Sequence, residues 1–210
     1  MPSHPQRRSA RSLVLMLVSL ALLLALDLGS KEWALARLST ARSAPSALSV
    51  CELDPRGWST PARIATPPMP FIDGVLQLSY AENCGAAFSM LRTAPRWLRL
   101  GIFVSLSVGA SLWLITLYAR GQGGPLFAAA VPLVASGAIG NNLWDRPRHG
   151  FVVDFLHVDP ALFHYPVFNV ADIWIAVGVG LLLLDGWRRP AEGSGPSEAP
   201  TRPDGILGAG

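Results

Sequence analysis

The chain has 210 residues, half of them hydrophobic, 15% charged and with a net charge of +3; soluble globular domains carry about 25% charged residues, so this composition reads as an integral membrane protein. Its 17 basic residues are scattered rather than banded, which excludes a nucleic-acid stripe. The two cysteines, Cys51 and Cys84, lack the CxxC spacing of a zinc site, and composition leaves open a disulfide in an oxidising compartment or two free thiols.

Residues 1–11 read as a basic tail carrying Arg7, Arg8 and Arg11. Four segments approach the roughly 20 apolar residues that a helix needs to cross a hydrocarbon core of about 30 Å: Ser12–Leu28, Trp97–Tyr118, Gly124–Leu143 and Asn169–Trp187. The first has the basic flank of a signal peptide, but no small-x-small cleavage pattern follows it, and "ALDLGSKEWALARL" continues with helical spacing. It is therefore read as a retained helix. Between the first and second helices the chain is rich in Pro and Ser as far as Pro70 and then alternates as "FIDGVLQLSYAEN", which predicts a small sheet or hairpin. The turn "ARGQGG" joins the second and third helices, and Pro132 predicts a tolerated kink in the third. Residues from Asp145 to Phe168 read as a loop, and 190–210 as a Pro-, Gly- and Ser-rich disordered tail.

The expected fold is thus an all-α membrane fold. Four transmembrane helices fall within residues 12–189, with a small extracytoplasmic β element in an outer insertion at about 39–83. Arginines beside the first and last helices, ending with Arg188 and Arg189, place both termini in the cytoplasm. Against that rule, Arg92, Arg96, Arg99, Arg146 and Arg148 then lie outside.

On this topology Asn83, Asp145, Arg146, Asp154, Asn169 and Asp172 gather at one membrane face. A charge held near hydrocarbon costs about 2.5–3.5 kcal/mol on insertion scales, so such groups face a cavity or a partner. Structural readings exist for each. Asn169 suits an N-cap and Asp172 the third residue of the helix after it; Asp154 suits an ion pair with Arg146 or Arg148; Asp145 and Arg146 suit a local pair. Asp27 and Lys31, four apart, suit a pair at the membrane edge. The functional reading is that two carboxyls brought together cannot both ionise cheaply, so one retains a proton. Such a pair deprotonates water and protonates a leaving amine without metal or covalent intermediate, as in aspartic proteases. Spacing alone favours the cap for Asp172. Other chemistries fit less well: His149, Asp154 and His157 match no zinc pattern, Ser89 in "GAAFS" lacks the GxSxG elbow, His164 reads as an interfacial aromatic, and "GAAFSML" as small residues in a packed turn or helix start.

Four motifs in order, "LDLGSK" (Asp27, Ser30, Lys31), "ENCGAAFSML" (Asn83, Gly85), "SGAIGNNLWDRPRHGFVVDF" (Gly140, Asn142, Asp145, Arg146, Gly150, Asp154) and "FNVADIWI" (Asn169, Ala171, Asp172), resemble lipoprotein signal peptidase, or signal peptidase II. The resemblance covers roughly residues 12–187. It implies an inner-membrane aspartic endopeptidase that removes the signal peptide from diacylglyceryl-modified prolipoproteins, cutting before the lipidated cysteine. Asp154 and Asp172 would be its catalytic dyad, with Asn83, Gly85, Asn142, Arg146 and Asn169 at the substrate site and Asp27, Lys31 and Asp145 as structural support. It implies no metal or other cofactor, contact with membrane phospholipid, and sensitivity to globomycin-type cyclic peptides. The chain departs from the family pattern in three places. Leu28 stands where the first motif usually has Gln. "GNNLWDR" has one residue more than the usual pattern, so either Asn142 or Asn141 serves. The segment 40–70 is long and carries Cys51. The rival readings are a proton-coupled carrier, which needs acids at mid-membrane depth, and a non-catalytic membrane scaffold.

Overall fold

The computed structural model of the protein describes residues 7–43, 51, 60–85, 94–158 and 165–188. The motif after Gly85 with Ser89, His164, and the tail beyond Arg188 lie outside them. Among the described residues four helices are long and apolar enough to cross a membrane: α1 (Ala10–Arg37), α2 (Arg96–Ala119), a third run over Pro125–His149, and the last over Val170–Arg188. Helix α1 is capped by Ser9, whose side chain accepts the N–H of Ser12 at 3.2 Å, and it runs on past Leu28 as the spacing of "ALDLGSKEWALARL" predicts.

The third run is composite. An α-helix, α3 (Pro125–Ala138), passes through Pro132 and opens into a π-helical turn (Ile139–Asp145), followed by a short helix, α4 (Arg146–His149), that ends at Gly150 with φ +87°. The predicted loop from Asp145 is thereby corrected: the helix continues to His149. A π turn accommodates one extra residue locally, so the added residue of "GNNLWDR" is absorbed without rotating the flanking helices by the ~100° that an α-helical insertion imposes.

Two small sheets lie at one end of the helices. Strands β1 (Ser39–Ala41) and β2 (Arg63–Ala65) pair with each other, while β3 (Met69–Ile72), β4 (Leu76–Asn83) and β5 (Val152–Val158) form a second, antiparallel sheet in that order. The predicted hairpin is β3–β4, turning at Asp73–Gly74, with Gly74 at φ +70°. Strand β5 corrects the rest of the predicted loop. Its residues Val152 to Phe155 are all buried, so the segment shows no polar alternation to read. One face of this sheet packs Tyr80, Val153 and Phe155 against Ala34 and Leu38 at the end of α1; Asp154 faces the other way. The two cysteines are joined, with Cα atoms 5.5 Å apart.

The last helix, α5 (Val170–Arg188), packs tightly on α3. A Cβ on Gly137 would lie 2.6 Å from the carbonyl oxygen of Ala171, and one on Gly178 2.6 Å from a Val134 methyl. Small residues bring the two helices together. Gly137→Ala therefore costs about 1–3 kcal/mol, seen as a lower thermal midpoint in detergent. Gly178→Ala costs less, because a side chain yields more readily than a backbone carbonyl. At the far end of these helices Asp185 accepts the Gly124 and Phe127 N–H groups at 3.4 and 3.3 Å, a carboxylate at the N-terminus of α3.

Candidate active site

The chain returns from β5 to α5 through one backbone junction. The Phe168 carbonyl accepts the N–H groups of Phe155 and Leu156 at 2.9 and 2.8 Å, and the Phe168 N–H reaches the Leu156 carbonyl at 3.0 Å. Because Asn169 follows at once, this junction sets the start of α5 beside Asp154. Asn169 is the N-cap: its side-chain oxygen accepts the Asp172 N–H at 3.1 Å, while the Asp172 carboxylate accepts the Asn169 N–H at 3.0 Å. The pair forms a reciprocal capping box. A third free N–H of the first turn, that of Ala171, donates to Asp27 of α1 at 2.9 Å.

The Asn169 side chain does more than cap. Its amide nitrogen donates to Asp154 at 2.6 Å, so one residue touches both predicted dyad members. The other Asp154 oxygen accepts the Asn83 amide at 3.0 Å, and Asp154 is 2% exposed. A bulge in β4 between Leu78 and Ala81 sets Ala81 opposite Asp154 and Asn83 diagonal to it, an irregularity that re-aims side chains. Neither Arg146 nor Arg148 pairs with Asp154, which corrects the ion-pair reading. Asp154 and His157, three apart on β5, point to opposite faces, which argues against their joint ligation of a metal.

Beneath Asp172 lies a charged network. Its second oxygen accepts the Asn141 amide at 2.9 Å, and the Asn141 oxygen accepts from Lys31 Nζ at 2.6 Å. Lys31 also contacts Asp27 at 2.9 Å and Asp145 at 3.1 Å, so its three protons meet three acceptors. The Asp27–Lys31 pair is buried, with 0% and 2% exposure. Asp145 pairs with Lys31 instead of Arg146 and accepts the Val153 N–H at 3.2 Å, tying the π turn to β5. Gly140 is required here, since a Cβ would strike the Asp27 carboxylate.

Arg146 centres a second cluster. Its guanidinium donates to the carbonyls of Gly85 at 2.7 Å and Cys84 at 3.5 Å, and to Asn142 at 2.8 Å, while lying 4.1 Å from the Phe103 ring centroid. Asn142 in turn donates to Ser107 of α2 at 2.8 Å. The π turn thus divides the two asparagines: Asn141 faces Asp172 and Asn142 serves Arg146. Ser30 bonds within its own helix, donating to the Asp27 carbonyl at 2.7 Å.

All ten candidate residues therefore converge at one end of the helices, in two clusters joined through Asn83 and Gly85, where the Gly85 N–H donates to the Asn83 oxygen at 3.2 Å. Four carboxyls, Asp27, Asp145, Asp154 and Asp172, share this region with Lys31, Arg146 and Arg99. Burial pushes the Asp154 carboxyl up to about 7, with the neighbouring Asp172 carboxylate acting in the same direction and the Asn169 and Asn83 amides opposing. Sequence reasoning gave no role to Ser107 or Phe103. Neither is set apart from other α2 residues by any motif; Phe103 lies against Arg146 and Ser107 accepts from Asn142.

Four helices of membrane-crossing length, with two acids linked through Asn169 at one end, define a multi-pass membrane protein with an enzyme-like polar site. Two solved structures described as bacterial membrane enzymes, obtained by the in meso method, share the fold. One has a TM-score of 0.59 at 19% identity, covering 85% of this chain and 89% of the other; the second has 0.60 at 18%, covering 89% and 99%. The family model described as signal peptidase (SPase) II matches residues 19–188. The lipoprotein signal peptidase of Yersinia enterocolitica is 33% identical over 81% of this chain and 85% of its own length. That of Pasteurella multocida is 43% identical over 56% and 71%. The chain belongs to the signal peptidase II family and is a membrane protease of that kind.

Proposed function

We propose that this protein removes the signal peptide from diacylglyceryl-modified prolipoproteins, cutting before the lipidated cysteine by activation of water between Asp154 and Asp172. The observation that carries the reading is Asn169, which donates to the Asp154 carboxyl and closes the capping box with Asp172. In this reading Asp154, almost wholly buried and with its carboxyl pushed up to about 7, is the protonated member of the pair. Asp172, receiving the Asn169 N–H and the Asn141 amide, takes a proton from water as the oxygen attacks the scissile carbonyl, and Asp154 donates to that carbonyl oxygen. Collapse of the tetrahedral intermediate returns a proton to the leaving amine, giving a free carboxyl on the signal peptide and an amino terminus on the lipidated cysteine. The acyl chains remain in the bilayer and hold the cysteine at the site, so proximity supplies much of the rate. Arg146, with Asn142 behind it, shapes the substrate wall.

The same reading places the protein in the bacterial inner membrane, with the site at its outer face in contact with phospholipid and both termini inside. A disulfide at the site's end of the molecule agrees with an oxidising compartment there. Globomycin-type cyclic peptides are expected to compete with substrate.

The test is cleavage of a diacylglyceryl-modified precursor by the purified protein, with the unlipidated precursor as control: rapid cut of the first and none of the second is expected, and equal cleavage of both sinks the lipid-directed reading. The pH profile adds a second check. The step needs neutral Asp154, so the rate falls as pH rises through about 7. Stability moves the same way. Between the ordinary value of 3.8 and about 7, the folded chain holds a proton the unfolded chain has released, so folding weakens with rising pH across that window and levels off above it.

A further inference from the structure

We propose that the Cys51–Cys84 disulfide is a positioning element for cleavage, fastening the end of strand β4 to the buried Cys51 so that Asn83 and the Cys84 and Gly85 carbonyls hold Asp154 and Arg146 in place. The inference rests on the dyad reading above. Cys84 directly follows Asn83, whose amide holds Asp154 at 3.0 Å, and it begins the pair of carbonyls that receive Arg146. The Asn83 amide plane is itself fixed by the Gly85 N–H, so the path of the chain at Cys84 decides where that amide points. At the other end Cys51 is 3% exposed and packs with Tyr80, Phe151 and Val153. Its sulfur lies 3.6 Å from the carbonyl oxygen of Gly150, which follows α4 and precedes Phe151 and β5. One covalent link therefore touches the end of β4, the end of α4 and the approach to Asp154.

Among the described residues, Glu82 also links the insertion to β4. Glu82 accepts the Ala62 and Arg63 N–H groups at 2.8 and 2.9 Å and the Tyr80 hydroxyl at 3.1 Å. Between the two layers lies a cavity of about 150 Å³, lined by Cys51, Arg63, Tyr80, Glu82 and Cys84 among others. The covalent bond adds a second constraint on the chain at Asn83, beside the β4–β5 pairing that sets Asn83 opposite Val152.

Purified enzyme in detergent is treated with a phosphine, which is oxidised to its oxide with oxygen from water as the disulfide becomes two thiols, and is then reoxidised with oxidised glutathione. The expected result on a diacylglyceryl precursor is a kcat lower by about 10- to 100-fold, as misplacement of catalytic groups gives. The alkaline limb of the pH profile should move up as Asp154 loses the Asn83 donor, and both should revert on reoxidation. The double variant Cys51→Ala, Cys84→Ala should show the low kcat and ignore the reductant. Reduced enzyme, with both thiols verified by alkylation and mass, that turns over at the parent rate overturns the proposal, as does a rate loss that tracks lost helical signal and stays after reoxidation. Asp154→Asn, assayed alongside, separates the two readings. An inactive Asp154→Asn with an unaffected reduced parent removes the positioning role alone, whereas an active Asp154→Asn removes the dyad and the positioning role with it.

Discussion

Asp172→Asn and Asp154→Asn each lower kcat by about a thousandfold, the middle of the range for removing a general acid or base, while the protein still inserts and folds. Asparagine preserves the shape of the carboxyl but offers one acceptor where the native residue offers two. At position 172 it satisfies either the Asn169 N–H or the Asn141 amide, and at 154 either the Asn169 or the Asn83 amide. The structural loss is one hydrogen bond, about 1–2 kcal/mol. That lowers the thermal midpoint by a few degrees and leaves the folded protein in place, so the assay measures chemistry rather than abundance. If capping were the whole role of Asp172, asparagine would lower the thermal midpoint alone and cleavage would persist near the parent rate.

Lys31→Met produces the largest effect on stability. Lys31 is the cation in contact with both Asp27 and Asp145, and all three side chains are at most 2% exposed. Removing one member of a buried charged set leaves charge uncompensated and costs about 3–5 kcal/mol, enough to remove the folded protein from the membrane. The loss spreads to the site, because Lys31 also holds Asn141 and Asp27 holds the first turn of α5. Adding Asp145→Asn to Lys31→Met should recover part of the folded yield, since one unpaired carboxylate is then gone. Recovery of neither yield nor thermal midpoint contradicts the charge explanation. Lys31→Arg is no remedy, since a planar fork cannot place three donors where a compact ammonium does.

The helices were legible because their signal is long and local. Each is a run of apolar residues, and even the extension of α1 past Asp27 and Lys31 is written in its spacing. The Asn169–Asp172 cap was legible for the same reason. Strand β5 was not: "VVDF" is buried along its whole length, so period-2 alternation is absent, and the segment became readable only beside its partner β4. The partners of the charges were also hidden. Sequence proximity suggests Asp145 with Arg146, but consecutive helical residues diverge by ~100°, and Asp145 turns to Lys31 while Arg146 turns to the Gly85 carbonyl. The two asparagines of "GNNLWDR" could be assigned only once the π turn was known, because each register of an ordinary helix gives a different answer. The disulfide, which spans 33 residues of sequence, had no local signature at all.

The most direct test of the central claim is the mass of the two products when purified enzyme cleaves a diacylglyceryl prolipoprotein in water enriched in oxygen-18. Hydrolysis by water held between Asp154 and Asp172 predicts a signal peptide with one heavy oxygen in its new carboxyl, and a partner fragment that begins with the lipidated cysteine and carries none. A cut at any other bond, or the same products at the same rate from Asp154→Asn or Asp172→Asn enzyme, would contradict it.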